Sequence, residues 1–143
     1  MAIIASQGIY SHLSDLIKKL DAPESPELFK DVVTVNTAAI TTLVLGTVLG
    51  KITASGKYIP SVATANDGSQ NAVAIYIGRG DSGAVQPTTT VAATDTKVLA
   101  LTRGKAMVSK NALVLDASYN TQPLRDAAYL SLQNVGIFAQ TTI

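Results

Sequence analysis

The chain has no cysteine and a single histidine, His12, and these two scarcities exclude much chemistry. Without cysteine there is no disulfide framework, no thiolate metal site and no cysteine nucleophile. With one histidine, a zinc site would have to be built mainly from carboxylates, and the acidic residues form no close pair on an expected helix or strand. His12 therefore reads as a solvated residue near a helix start, and neither metal nor cofactor is expected. Charge is also sparse and balanced: 11 Lys plus Arg against 10 Asp plus Glu, a formal net charge of +1. The basic residues are scattered, with only Lys18 and Lys19 adjacent. Tight nucleic-acid binding needs clustered cations that displace counterions from phosphates, so it is not expected. The N-terminal stretch "MAIIASQGIYSHLSDLIKKL" lacks a basic segment ahead of an apolar core, so it carries no recognisable secretory signal.

What is present is a body of short apolar runs. The chain's 143 residues suit one domain, which buries about two-thirds of the surface its unfolded form exposes. Residues 32–50 run without a charge, nearly long enough to span a bilayer as a helix. Five threonines, Asn36 and Gly46 interrupt the run, a composition that fits buried strands better than a spanning helix. Neither a membrane nor a nucleic acid is expected as a partner.

Within that body, "GTVLGKITASGKY" at residues 46–58 places a glycine and Gly50-Lys51 in the order of a phosphate-binding loop. That loop needs four residues between its glycines and a Ser or Thr after the lysine. Here there are three, and Ile52 follows Lys51. The β-branched residues, turn residues and proline after it oppose the helix whose N-terminus would face a phosphate. "GRGDSG" at residues 78–83 holds two further words. Gly80-Asp81-Ser82-Gly83 echoes a serine-protease nucleophile loop, but a nucleophilic serine needs a base, and the single histidine lies far upstream. Arg79-Gly80-Asp81-Ser82 spells an integrin-binding tripeptide followed by serine, yet two glycines and an aspartate after "AVAIYI" are what a strand-closing turn requires. No enzyme activity is expected.

Read for organisation, residues 11–21 place Leu13, Leu16, Ile17 and Leu20 at helical spacing, with Ser11 as a cap and Lys18 and Lys19 at the end. They predict a short amphipathic helix. "DAPESPELFKD" then carries two prolines and four acids and reads as a connector, so residues 1–31 are expected to be an N-terminal helical arm and residues 32–143 a β-rich domain. From there to about residue 116, apolar runs between turn signals predict an antiparallel or mixed barrel or sandwich. Asn66-Asp67-Gly68 fits a tight turn. "DSGAVQPTTTVAATDT", residues 81–96, predicts a long exposed loop. Pro123 opens a helix with an apolar stripe of Leu124, Ala127, Ala128, Leu132 and Val135, Gly136 ends it in a left-handed cap, and "GIFAQ" returns as a strand. The alanines in that stripe predict a helix packed closely on the sheet.

Four stretches in order, "GTVLGKITASGKY", "NDGSQNAVAIYI", "LTRGKAMVSKNAL" and an Ala-rich helix running into "LQNVGIFAQ", resemble the lambda-type head decoration proteins of tailed bacteriophages. The resemblance covers about residues 38–140. It implies an α+β fold, mainly β, a small β-barrel or β-tulip-like domain with one packed C-terminal helix. It also implies a homotrimer on the outer surface of the virion, at the three-fold sites of the expanded capsid, cementing the major capsid protein. In that reading Gly46, Gly50, Lys51 and Tyr58 belong to a structural hairpin, Asp67 and Gly68 to the turn before a core strand, and Arg103 and Gly104 to the turn before "KAMVSKNAL". The family's flexible N-terminal tail is replaced here by "HLSDLIKKL". Ile3, Ile4, Ile9 and Tyr10, in an uncharged segment, are the expected capsid-binding residues of the arm. The alternatives are another phage structural protein, a tail-tube or fibre domain, or a secreted adhesion module using the Arg79–Ser82 turn.

Overall fold

Two runs in the middle of the chain, "AVAIYI" and "VLAL", are apolar at every position instead of alternating, which is the pattern of strands buried on both faces. The computed structural model, which describes residues 16–20, 30–37, 41–79, 88–91 and 95–140, places them at the centre of the fold. Among the described residues ten strands appear in the order β1 (Ile17–Leu20), β2 (Lys30–Val35), β3 (Thr41–Val44), β4 (Val48–Lys51), β5 (Tyr58–Pro60), β6 (Ala72–Arg79), β7 (Thr88–Val91), β8 (Thr96–Leu101), β9 (Ala106–Ser109) and β10 (Ile137–Gln140). The helix α1 (Gln122–Gln133) precedes β10. Strands β2-β5-β4-β6-β8 close into a barrel, β1-β9-β10 form a second sheet, and β3 pairs with β7.

The alternation of side chains along β6 and β8 divides the core in two. Ala74 and Tyr76 of β6 and Val98 and Ala100 of β8 join Val33 and Val35 of β2, Leu49 of β4 and Tyr58 of β5 in one cluster. Because every barrel strand contributes, this cluster fills the lumen, as side chains do in a barrel of so few strands. The intervening residues Ile75, Ile77, Leu99 and Leu101 face outward and are covered by Ala128 and Leu132 of α1 together with Ala106, Val108 and Ile137 of β9 and β10. Leu132 and Ile137 are fully buried, each stabilising the fold by roughly 2–3 kcal/mol through apolar burial. The register shifts at Leu49/Gly50 in β4–β6 and at Tyr76/Gly78 in β6–β8 are irregularities of the kind that bend strands enough to close a small barrel.

The C-terminal elements match the sequence reading closely. Thr121 is the extended N-cap of α1, with Pro123 in its first turn, and Gly136 stands at φ 89° before β10. The stripe is narrower than expected: Ala128 and Leu132 are buried, whereas Ala127 is exposed.

Two expectations are corrected. Residues 17–20, the second half of the expected N-terminal helix, form strand β1, antiparallel to β9 with Ile17 opposite Val108, and Leu16 is buried in the outer core. A helix of about ten residues is marginal on its own, so pairing with the edge of β9 overrides the helical periodicity. The first half of that helix lies outside the described residues. The expected long loop at residues 81–96 contains β7, whose Thr88 to Val91 pair antiparallel with Val44 to Thr41. Consecutive threonines and a valine are strong strand formers, and a partner strand upstream supplies the ladder. Among the described residues no helix is long and apolar enough to cross a membrane, and residues 32–50 contribute β2, β3 and β4.

Candidate interaction surface

The hairpin and turn residues singled out in the sequence fall at three junctions around the barrel. Gly46 lies in the turn joining β3 to β4, closed by a Thr47 N–H to Val44 carbonyl bond of 3.0 Å and by the Thr47 hydroxyl donating to the same carbonyl at 2.7 Å. Its φ of 96° suits glycine, and a Cβ there would run into the Ala112 carbonyl. Gly46 donates to Tyr76 at 3.1 Å and accepts from Val114 at 2.9 Å, so this turn ties the barrel to the segment after the short 3-10 turn Lys110–Ala112. Lys51 and Tyr58 face each other across the β4–β5 hairpin, with the Lys51 Nζ 5.9 Å from the Tyr58 ring centre. Burial, and then the charge of Asp31, pushes the Tyr58 phenol up. A hairpin, not a helix, follows the lysine, which removes the phosphate-loop geometry.

The second junction is the loop of residues 61–71, which crosses β4 at Gly50. A side chain at Gly50 would overlap the Ser69 carbonyl, and the Ser69 Cα would lie 2.7 Å from a Cβ. Asp67 Oδ1 accepts from the Ser69 hydroxyl at 2.5 Å and from the Ser69 N–H at 3.0 Å. Those two bonds, the hydroxyl's first, hold its carboxyl below the usual carboxylate range. Gly68 adopts φ 105°, and its loop is pinned by the Thr53 N–H donating to the Asp67 carbonyl at 2.9 Å.

Beneath this loop sits a polar lock that the sequence did not reveal. The Ser61 hydroxyl donates to the Ser69 carbonyl at 2.8 Å and lies 2.7 Å from the Tyr119 hydroxyl. Tyr119 Oη also stands 3.1 Å from the Gln70 carbonyl. Ser61 spends its only proton on Ser69, so Tyr119 must donate its own between Ser61 and Gln70. Ser61 and Tyr119 are 58 residues apart, and no local pattern connects them.

At the third junction, Arg103 Nη1 bonds Asp31 Oδ2 at 2.6 Å, linking the end of β8 to β2. Gly104 donates to the Val135 carbonyl at 3.1 Å, and a Cβ there would overlap the Gly136 carbonyl. At another point of the surface, Asp95 binds Lys57 at 2.9 Å and Asn36 at 2.7 Å. Lys57 first and Asn36 second hold its carboxyl below the usual range. Ile3, Ile4, Ile9 and Tyr10 lie outside the described residues, as do Gly80, Asp81 and Ser82.

None of the three junctions assembles a nucleophile with a base, and no group of three His, Asp or Glu side chains that could hold a metal occurs among the described residues. Gly46, Gly50, Gly68 and Gly104 are placed where other backbone passes close by, and the polar side chains hold loops. The class defined by this arrangement is a small closed β-barrel with one packed helix, its loops fastened by main-chain crossings and polar side chains. The family model of the bacteriophage lambda head decoration protein D matches residues 20–137, and the chain belongs to that family. A role in decorating the phage head, and with it a place in the virion capsid, follows from that membership. A family of structural decoration proteins also points away from catalysis. No curated protein matches the sequence.

Proposed function

We propose that the chain binds the major capsid protein on the outer surface of the expanded head, as a homotrimer at the three-fold sites, and cements neighbouring capsid subunits there. The family match over residues 20–137 carries this reading. The fold supports it physically. A cement must resist deformation, and a barrel whose central strands are buried on both faces, with loops locked by Ser61, Tyr119 and Arg103, is stiff. The near-zero net charge removes electrostatic repulsion between identical subunits packed around a three-fold axis. Symmetry-linked contacts raise effective affinity by about 10² to 10⁴ without any catalytic group. Ile3, Ile4, Ile9 and Tyr10 supply capsid contact by adding an extended segment to an open sheet edge of the capsid protein.

A site divided between capsid subunits exists only when their spacing is right, and a ligand stabilises a state only through its preferential affinity for it. The protein should therefore co-sediment with expanded heads and not with unexpanded precursors, raise the expanded heads' resistance to heat, and show a copy number near that of the capsid protein in purified virions. Equal binding to both head forms, or no gain in resistance, removes the cementing mechanism; a copy number far below the capsid protein's indicates a tail component.

A further inference from the structure

Asp67-Gly68 is the single Asp-Gly pair in the sequence, which has no Asn-Gly pair. That dipeptide carries its own chemistry. The main-chain nitrogen of the second residue can attack the side-chain carboxyl carbon of the first, and glycine, with no Cβ, leaves that nitrogen open to the approach. An N–C bond forms, the carboxyl's hydroxyl leaves with the amide proton as water, and a five-membered succinimide results. Water then adds back to either carbonyl of the ring. At the side-chain carbon it restores aspartate; at the main-chain carbon it leaves the backbone routed through the former side chain, as isoaspartate. The main chain gains one methylene with no change of mass.

Asp67 is exposed and Gly68 half-buried, so water reaches the pair, yet both reacting groups are engaged. Asp67 Oδ1 accepts from the Ser69 hydroxyl and the Ser69 N–H, which turns the carboxyl towards Ser69 and favours its ionised form, a poor electrophile. The Gly68 N–H donates to Gln70 Oε1 at 2.8 Å. The imide nitrogen carries no hydrogen, so closing the ring removes the proton that Gln70 holds and takes the carboxyl away from Ser69. The peptide between the two residues is also fixed on either side. Thr53 N–H donates to the Asp67 carbonyl at 2.9 Å, and Asn71 N–H to the Gly68 carbonyl at 3.2 Å.

We propose that Asp67-Gly68 is a latent isoaspartate site, held closed in the folded protein by Gln70 on the nitrogen and Ser69 on the carboxyl. Opening of the loop at residues 61–71, not the exposure of Asp67, sets the rate of conversion. The product cannot return to the same seat. An added methylene displaces Ser69 relative to Asp67, and the Ser69 main chain crosses β4 where Gly50 has no room even for a Cβ. Isomerisation therefore unfastens this loop from the barrel, and the modification marks molecules in which the loop has opened.

The test holds the full chain at neutral pH and physiological temperature for weeks, counts isoaspartate by isoaspartyl methyltransferase labelling, and assigns it to residue 67 by electron-transfer fragmentation. Folded protein should convert at least about tenfold more slowly than the same chain unfolded in guanidinium, because the reaction waits on local opening of a hydrogen-bonded segment. Gln70→Ala and Ser69→Ala, each verified as folded by circular dichroism, should convert severalfold faster than the parent. Asp67→Glu, which would need a larger ring, should give no product at this position. A folded parent that converts as fast as the unfolded chain overturns the proposal. So does a rate that in both alanine variants equals the parent's, or rises only in proportion to their unfolded fraction.

Discussion

Replacing Tyr119 by phenylalanine removes one oxygen from a buried junction and leaves the ring in place. That oxygen stands 2.7 Å from the Ser61 hydroxyl and 3.1 Å from the Gln70 carbonyl, and Tyr119 is only 6% exposed. Its single proton serves two acceptors, so the variant takes this donor from the Gln70 carbonyl and leaves the Ser61 hydroxyl with only its own bond to Ser69. A net hydrogen bond contributes about 1 kcal/mol, and a buried polar group left without a partner costs about 1–3 kcal/mol. Tyr119→Phe should therefore destabilise the protein by about 2 kcal/mol, lowering Tm by several degrees for a chain of this size. Ser61→Ala removes the donor to Ser69 and the hydroxyl that receives Tyr119's proton, and Tyr119 can then turn wholly to Gln70. The two changes share a partner, so the double variant should cost less than the sum of the singles by about 0.5–1 kcal/mol. Urea unfolding of the four proteins, with equal m-values, supplies the cycle. A Tyr119→Phe variant as stable as the parent, or strictly additive costs, refutes the shared-proton reading.

Gly50→Ala should cost about 3 kcal/mol in the same assay, because the new methyl meets Ser69 backbone, which cannot rotate away. Gly56→Ala should cost about 1 kcal/mol, since its φ is 74° but the nearest atom, the end of Lys51, is 3.9 Å away; equal costs at the two sites would break the distinction between close approach and positive φ. Asp95 has a carboxyl whose folded pKa is depressed by Lys57 and Asn36. Its contribution to stability is therefore complete above the unfolded carboxylate value of about 4 and is lost as pH falls through the lower folded value. Asp95→Asn should flatten the fall of Tm with acid in that window and leave the salt dependence at neutral pH weaker; a parallel pair of Tm–pH curves refutes the role.

How much of this was legible beforehand divides along a physical line. Strands buried on both faces write themselves as continuous apolar runs, so the barrel's centre was visible in "AVAIYI" and "VLAL". The last helix was visible because capping and periodicity act within a few residues, from Thr121 and Pro123 to Gly136. What failed was pairing at a distance. Residues 17–20 carry helical spacing, and only the open edge of β9, nearly ninety residues onward, makes them a strand. Thr88–Val91 sits amid loop-like sequence and becomes β7 because β3 waits upstream. Ser61 and Tyr119 look like ordinary turn and surface residues until the fold brings them to 2.7 Å.

The same division explains the glycines. Gly50 and Gly104 were recognised as turn residues, yet neither has a positive φ. Each is required because another backbone passes where its side chain would be, Ser69 over Gly50 and Gly136 over Gly104. A turn glycine is readable from its neighbours, whereas a crossing glycine depends on a segment elsewhere in the chain. That the crossings join β4 to the loop before β6, and the turn after β8 to the turn before β10, means the loops are fastened to the barrel by main chain as well as by side chains. Fastening of this kind carries load without relying on long, flexible side chains, as the proposed cementing role would require.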